Sequence, residues 1–236
     1  VGWVIFALLG FYMFMVFRQR SIKQRQKKLE IQQRLNKARI NPEFIYQSIS
    51  NLKNVQANTD FSKKVTAFSK LIKQLLEGSG DDFLTLDKEL EFLKLYLEIE
   101  CDQKGKSFDF HFEVDEHLDI HDVCIPTMIL QPFIENTVNQ GFKGLKHPGE
   151  LLIKFTLLGN NELAIKIQDN GRGLKAVDSS RASGIINDRL YLLNKINKAS
   201  SSYIIRERQS GGVSIEIFLP LITKAYAEKL SSEEGN

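Results

Sequence analysis

Residues 125–136 read Ile-Pro-Thr-Met-Ile-Leu-Gln-Pro-Phe-Ile-Glu-Asn, and this stretch decides how the C-terminal half of the chain should fold. Apolar residues recur at helical spacing as far as Val138, so we predict a helix that starts at Pro126. Glu135 and Asn136 form a polar pair in this apolar segment. Such a pair is often only solvated surface. An amide oxygen from Asn136 also suits a Mg²⁺ ion, and Glu135 could orient water or a metal-bound group.

The chain on both sides of this helix has the two-residue period of β-strands. Residues 108–114 alternate before it, and residues 151–158 and 163–167 alternate after it, joined by the turn Gly159-Asn160-Asn161. We also predict a helix from about Ser183 to Asn197, strands near residues 203–206 and 213–219, and a charged, frayed tail. Helices segregated from a mixed sheet predict an α+β fold with a two-layer α/β sandwich.

Two stretches that contain glycine could bind a nucleotide. Asp169-Asn170-Gly171-Arg172-Gly173 directly follows a predicted strand. It is either an ordinary turn or a site where Asp169 accepts a hydrogen bond from adenine and Gly171 and Gly173 let the backbone approach the ligand. Gly184 stands just ahead of the predicted helix, whose N-terminus could bind phosphate. A glycine before a helix is also common without any ligand.

The region upstream of Gly105 has apolar residues at helical spacing in three segments. The first two segments, which end at Gly78, predict an antiparallel hairpin. One hairpin cannot cover its own apolar face, so we expect it to dimerise into a four-helix bundle. Thr85 opens the third helix.

Residues 1–17 contain no charge and no proline, and a basic segment that includes Arg18, Arg20 and Lys23 follows. This pattern predicts a transmembrane helix in the cytoplasmic (inner) membrane, in contact with lipid, with the bulk of the chain on the cytoplasmic side. A buried core helix or a signal-peptide core is the alternative. Because the chain opens on Val1 rather than methionine, we expect the span to begin further upstream.

The composition of the 236 residues is that of a globular protein, with 42% hydrophobic residues. A net charge of +3 is too small to argue for nucleic acid as a partner. Cys101 and Cys124 have no ligand-like spacing, and we expect both to be reduced thiols.

Several of these stretches resemble boxes of the LytS/YehU-type sensor histidine kinases. Residues 39–49, Arg-Ile-Asn-Pro-Glu-Phe-Ile-Tyr-Gln-Ser-Ile, resemble the phosphoacceptor box I-N-P-H-F-I-F-N-S-L, with Glu43 at the histidine and Gln47 at the asparagine. Residues 125–136 resemble the box I-P-x-x-x-L-Q-P-x-x-E-N, and residues 169–173 resemble D-N-G-x-G. Residues 184–190 are similar to the last glycine and R-L helix of the family. The family also has two boxes ahead of this domain, L-x-x-E-L and Y-L-x-x-E. They are similar to Leu86-x-x-Glu89-Leu90 and Tyr96-Leu97-x-x-Glu100.

The resemblance runs from about Leu35 to Leu221. Together with the residue patterns described above, it leads us to predict five parts in the chain. These are a transmembrane helix (1–17), a connecting helix (18–40), a helical hairpin for dimerisation (41–104), an ATP-binding sandwich of GHKL (Bergerat) type (105–223) and a tail (224–236). It further implies ATP and Mg²⁺ as cofactors, a role in a two-component system, and a response regulator of LytTR type as recipient.

The departures from the family concern phosphoryl transfer. Glu43 has no imidazole nitrogen to accept a phosphoryl group. Gln140 stands at a usual histidine, Lys73 at a usual arginine, and Gly212-Val213 where relatives have Gly-Thr. We therefore predict impaired autophosphorylation in a homodimer, or in a heterodimer with a related kinase. The alternatives are a noncatalytic partner of an active kinase, a GHKL-type ATPase with Glu135 as base, and a purely structural membrane dimer.

Overall fold

The computed structural model describes residues 3, 11–20, 23, 66, 69, 82–105, 107–127, 129–173, 179–197 and 200–233. The chain divides into two compact units, Val1–Ala38 and Arg39–Asn236. Most of the predicted hairpin, including Glu43, Gln47 and Lys73, lies outside the described residues, and so does its predicted dimer interface.

The first unit is helical over residues 11–20, and the apolar side chains of Phe11, Phe14 and Phe17 are exposed there. Within the described part of the chain, no helix combines the length and the apolar character needed to cross a membrane. Most of residues 1–17 and 18–40 fall outside that part, so the transmembrane and connecting helices stay predictions.

From Phe83 onward, the described residues of the second unit form eight strands and four α-helices. In chain order they are β1 (Phe83–Thr85), α1 (Leu86–Gln103), β2 (Phe108–Val114), β3 (Val123–Pro126), α2 (Gln131–Asn136), β4 (Gly149–Leu158), β5 (Glu162–Asp169), α3 (Ser179–Asn197), β6 (Ser202–Glu207), β7 (Val213–Pro220), β8 (Ile222–Thr223) and α4 (Lys224–Glu233). A single turn of π-helix, Thr137–Gly141, continues α2 and is called the π-turn below.

Five strands form a mixed sheet in the order β2-β4-β5-β7-β6. β2 pairs with β4 in parallel, and every other pair in this sheet is antiparallel. The alternation that predicted the strands is visible in their burial, since Ile153 and Phe155 of β4 face the core while Lys154 between them is exposed. The predicted hairpin of β4 and β5 and the strands near residues 203–206 and 213–219 are confirmed.

The helices and one face of this sheet share a single core. Buried side chains of α1, α2 and α3 pack with alternate residues of β4, β5 and β7. Each large apolar side chain that is fully buried, such as Leu97 or Phe155, contributes roughly 1.5–3 kcal/mol to the hydrophobic stabilisation. The predicted α+β class is therefore confirmed. The third predicted helix is confirmed as α1, which begins directly after Thr85.

The helix predicted to begin at Pro126 is present, but its predicted first residue is wrong. Residues Val123–Pro126 form β3, the central strand of a small sheet in the order β1-β3-β8, and the helix begins only at Gln131. All four residues of β3 are buried, so the strand has no alternation that sequence reading could detect. Pro132 in the first turn of α2 marks the true start, because its fixed φ suits that position.

Two further expectations about the C-terminal part are wrong. α3 begins at Ser179, four residues before the expected start, and therefore contains Gly184 in its interior. The tail expected to fray forms α4 instead, with Ala227 and Leu230 buried. Its first N–H group, on Lys224, donates to the backbone oxygen of Asp122 at 2.8 Å, which attaches the helix to the loop before β3.

Candidate nucleotide site

Asp169 is the last residue of β5, and its side chain is only 3% exposed. Its Oδ1 atom accepts hydrogen bonds from the backbone N–H of Gly171 at 2.8 Å and of Val213 at 3.1 Å. Its Oδ2 atom accepts one from the Thr137 hydroxyl at 3.2 Å. Burial raises the pKa of Asp169 above its ordinary value, although these hydrogen bonds act in the opposite direction. The carboxylate is thus held in one orientation.

The loop after Asp169 lies directly against the π-turn. The backbone N–H of Arg172 donates to the carbonyl oxygen of Gly141 at 3.1 Å. A Cβ atom on Gly171 would lie 2.8 Å from that same oxygen and 2.9 Å from Asp169 Oδ1. Only glycine permits this close approach of two backbone segments. Gly173, with φ +81°, completes the loop beside the carboxylate of Glu207.

Glu135 and Asn136 close α2, immediately before the π-turn. Both side chains are half-buried, and Glu135 Oε1 accepts a hydrogen bond from Gln131 Nε2 at 2.8 Å. Thr137, the residue after Asn136, contacts Asp169. The fold therefore brings two of the three predicted stretches, 125–136 and 169–173, to one place. π-Helical turns are rare, and they occur frequently at functional sites.

Comparison with known proteins shows that the chain is similar to histidine kinases. A family model described as histidine kinase matches residues 31–108. Sensor histidine kinase YpdA of Escherichia coli is 24% identical over 212 residues, which cover 87% of this chain and 36% of that protein. Sensor protein LytS of Staphylococcus epidermidis is 27% identical over 141 residues, or 59% of this chain and 23% of that protein. The family model and these relatives together support a LytS-type histidine kinase family for this chain.

LytS of Staphylococcus aureus, named a sensor histidine kinase/phosphatase, is 25% identical over 195 residues, covering 78% of this chain and 33% of that protein. The chain thus spans roughly a quarter to a third of the length of these relatives. Among solved structures, the histidine kinase domain of the blue-light activated kinase EL346 from Erythrobacter litoralis aligns with a TM-score of 0.47 at 16% identity. That alignment covers 90% of this chain and 97% of that chain.

The third predicted stretch does not have the expected position relative to its helix. Gly184 is the sixth residue of α3 and is exposed. From the fifth residue of a helix onward, each backbone N–H bonds to the carbonyl four residues earlier, so the N–H of Gly184 is not free for a phosphate. The predicted start of α3 was too late, so Gly184 lies inside the helix and not ahead of it.

Two residues that contact Asp169 were missed by sequence reasoning. Thr137 carried a weak signal, because it directly follows the Glu135-Asn136 pair. Arg208 carried none, since it lies in the turn between β6 and β7, and its Nη1 atom donates to the backbone oxygen of Asp169 at 2.6 Å. Arg208 and Gly212 belong to the same hairpin, where the N–H of Arg208 donates to the Gly212 carbonyl at 3.0 Å.

The oxygen atoms at this place fit Mg²⁺ in type. Mg²⁺ keeps several water ligands and usually takes one or two protein oxygens together with phosphate oxygens. Asn136 offers an amide oxygen and Glu135 a carboxylate oxygen on the last turn of α2. No group of three or more His, Cys, Asp or Glu residues is arranged to hold a metal within the described ranges. The donor set therefore suits an ion that arrives bound to a nucleotide.

Proposed function

We propose that this chain is part of a sensor histidine kinase of a two-component system and that its sandwich binds Mg-ATP at Asp169. The observation that carries the proposal is the hydrogen bonding of the Asp169 carboxylate. Among the described residues, Oδ1 accepts from two N–H groups and Oδ2 only from the Thr137 hydroxyl. A carboxylate oxygen has about two acceptor positions. Oδ2 therefore keeps one position for the amino group of adenine.

The neighbouring residues would serve the rest of the ligand. Asn136 would give its amide oxygen to Mg²⁺, and Glu135 would orient a water or a metal-bound group. Gly171 and Gly173 keep side chains away from the loop that follows Asp169. When bound, Mg²⁺ offsets the negative charge of the phosphate groups. These assignments rest on the family resemblance and on the chemistry of the residues.

Replacing Asp169 by asparagine tests the site with little change in shape. The amide oxygen can still accept from Gly171 and Val213, and the amide nitrogen can donate to the Thr137 hydroxyl. The same nitrogen would also face the adenine amino group, and two donors cannot bond to each other. Losing a hydrogen bond to a charged acceptor costs about 1.5–3 kcal/mol, so we expect the affinity for Mg-ATP to fall about 10- to 150-fold.

Titration calorimetry of the full chain measures this change, with Asp109→Asn, an exposed aspartate on β2, as the matched control. Mg-ITP, which has a carbonyl in place of the adenine amino group, should bind the wild type more weakly than Mg-ATP. Equal ATP affinity in Asp169→Asn and the wild type, or no binding in either, would rule out the assignment.

The loss of the acceptor histidine limits the proposed kinase activity. We propose that the chain does not autophosphorylate in the usual way, since a glutamate at position 43 offers no imidazole nitrogen. It would form either a homodimer with impaired autophosphorylation or a heterodimer in which it is the noncatalytic partner of an active kinase. The recipient of the signal would be a response regulator of LytTR type, and residues 1–17 would anchor the dimer in the cytoplasmic membrane.

Replacing Glu43 by histidine tests the proposed loss of autophosphorylation. With γ-labelled ATP, we expect no acid-labile label on the wild type and slow labelling of Glu43→His, in a bond that is stable to alkali and labile to acid. Adding Gln47→Asn and Gln140→His should speed the labelling, because positioning supplies most of the rate in phosphoryl transfer. Strong acid-labile labelling of the unmutated chain would show that another residue accepts phosphate.

A further inference from the structure

The π-turn is held from two sides by different parts of the fold. On one side, Thr137 bonds to Asp169, and the Gly141 carbonyl accepts the N–H of Arg172. On the other side, Asn139 contacts the C-terminal end of α1, where its Oδ1 atom accepts a hydrogen bond at 3.0 Å from Nζ of Lys104, the residue directly after the helix. One turn of helix therefore connects α1 to the loop that carries the candidate nucleotide site.

The face of α1 that meets Asn139 is a continuous polar row. Tyr96, Glu100 and Lys104 are four residues apart and so lie on one side of the helix. Lys104 Nζ is 2.9 Å from Glu100 Oε2, and the Tyr96 phenol interacts with both Glu100 and Asn139. Tyr96 is 1% exposed and Glu100 is 3% exposed. Polar groups buried this deeply are stable only if their hydrogen bonds are satisfied.

The chemistry of this row specifies an amide at position 139. The amide oxygen accepts from the Lys104 ammonium, and the amide N–H is the group that Asn139 can offer to the phenolic oxygen of Tyr96. An aspartate would place a second negative charge beside Glu100. A leucine would satisfy neither Lys104 nor Tyr96. Asn139 is exposed, and it closes the outer end of this row with both ends of its amide.

We propose that Asn139 is a positioning residue, through which Tyr96 and Glu100 of α1 and its C-cap Lys104 fix the π-turn and thereby the Thr137–Asp169 contact. The inference rests on the proposed function of Asp169. It adds that the order of the nucleotide loop depends on the position of α1, because the loop and α1 hold opposite sides of one turn. A change in α1 is then transmitted to Asp169 through Asn139.

Hydrogen exchange tests the inference without any ligand. The N–H of Arg172 reports the loop's contact with the π-turn, since its acceptor is the Gly141 carbonyl. In the full chain, we expect Asn139→Leu to speed exchange at Arg172 and Gly171 about tenfold, and Lys104→Met to speed it about threefold. Lys146→Met changes an exposed lysine after the π-turn and serves as the matched control, with exchange unchanged. Because Lys104 is partly exposed, its variant is mild enough to keep the fold if Asn139→Leu does not.

A double-mutant cycle separates positioning from general damage. Thr137→Val removes the link to Asp169, so Asn139→Leu should add little to the exchange rates in that background. Mg-ATP affinity should fall about three- to tenfold in Asn139→Leu, which corresponds to the loss of one hydrogen bond. Unchanged exchange at Arg172 in both Asn139→Leu and Lys104→Met, or additive effects in the cycle, would overturn the inference. If the wild type binds no nucleotide, the proposed function fails while the exchange result still decides the role of Asn139.

Discussion

Gly212→Ala is expected to destabilise the second unit by about 3 kcal/mol or more and to disturb Asp169. Gly212 has φ +84°, a backbone conformation that costs an L-residue roughly 1–2 kcal/mol. A Cβ atom at this position would also overlap the backbone carbonyl of Asp169, and it would lie 2.6 Å from the carbonyl carbon and 2.8 Å from Asn170 Cα. Since these neighbours are backbone atoms, the strand end itself would have to move.

The neighbouring glycine provides a matched control for this prediction. Gly211 has φ +90°, but a Cβ atom there meets nothing within 4 Å. Gly211→Ala should therefore lose only the conformational cost of roughly 1–2 kcal/mol. Urea unfolding of the two variants measures the difference, which isolates the overlap with Asp169. Equal losses in both variants would show that β5 and β7 can separate freely at this point.

Glu89→Gln is expected to stabilise the protein increasingly as the pH rises. Glu89 in α1 is 3% exposed, and its Oε1 atom accepts no hydrogen bond from the described residues. Burial raises the pKa of Glu89 to about 7, against the opposing effect of the nearby Arg189 charge. Because the folded pKa lies above the unfolded value of 4.5, the stabilising contribution is complete below pH 4.5 and is lost as the pH rises through 7.

A pKa difference of this size corresponds to roughly 3 kcal/mol of stability. The wild type should lose about that amount between pH 4.5 and pH 8, whereas the glutamine variant has no such proton to lose. The free energy of unfolding of both proteins at pH 5 and pH 8 provides the measurement. Glu98→Gln, at an exposed position on the same helix, should show no comparable gain at high pH. A constant difference between Glu89→Gln and the wild type would mean that Glu89 is ionised at both pH values.

The strands of the main sheet were predictable because one face of the sheet is buried and the other is exposed. Alternation in Phe108–Val114 and across β4 and β5 follows directly from that arrangement. β3 was not predictable, because it is buried along its whole length and has no period of its own. α4 was missed for another reason. Its attachment depends on Asp122, far away in the sequence.

The candidate site was predictable where its residues are neighbours in sequence. Asp169, Gly171 and Gly173 form one short loop, and the contact of Thr137 with Asp169 brings the Glu135-Asn136 pair to that loop. Arg208 reaches Asp169 from another hairpin, and no local sequence pattern predicts such a long-range contact. The start of α3 was placed too late, which put Gly184 at a helix terminus that it does not occupy.

The parallel pairing of β2 with β4 ties the order of folding to the assembly of the site. β4 and β5 are joined by a tight turn and can pair from local contacts. β2 can join β4 only after the intervening chain, from β3 to the π-turn, has closed across the sheet. Closing that long crossover costs chain entropy before any strand contact offsets it. Since the crossover carries Glu135, Asn136 and Thr137, we expect the step that adds the edge strand also to bring these residues close to Asp169.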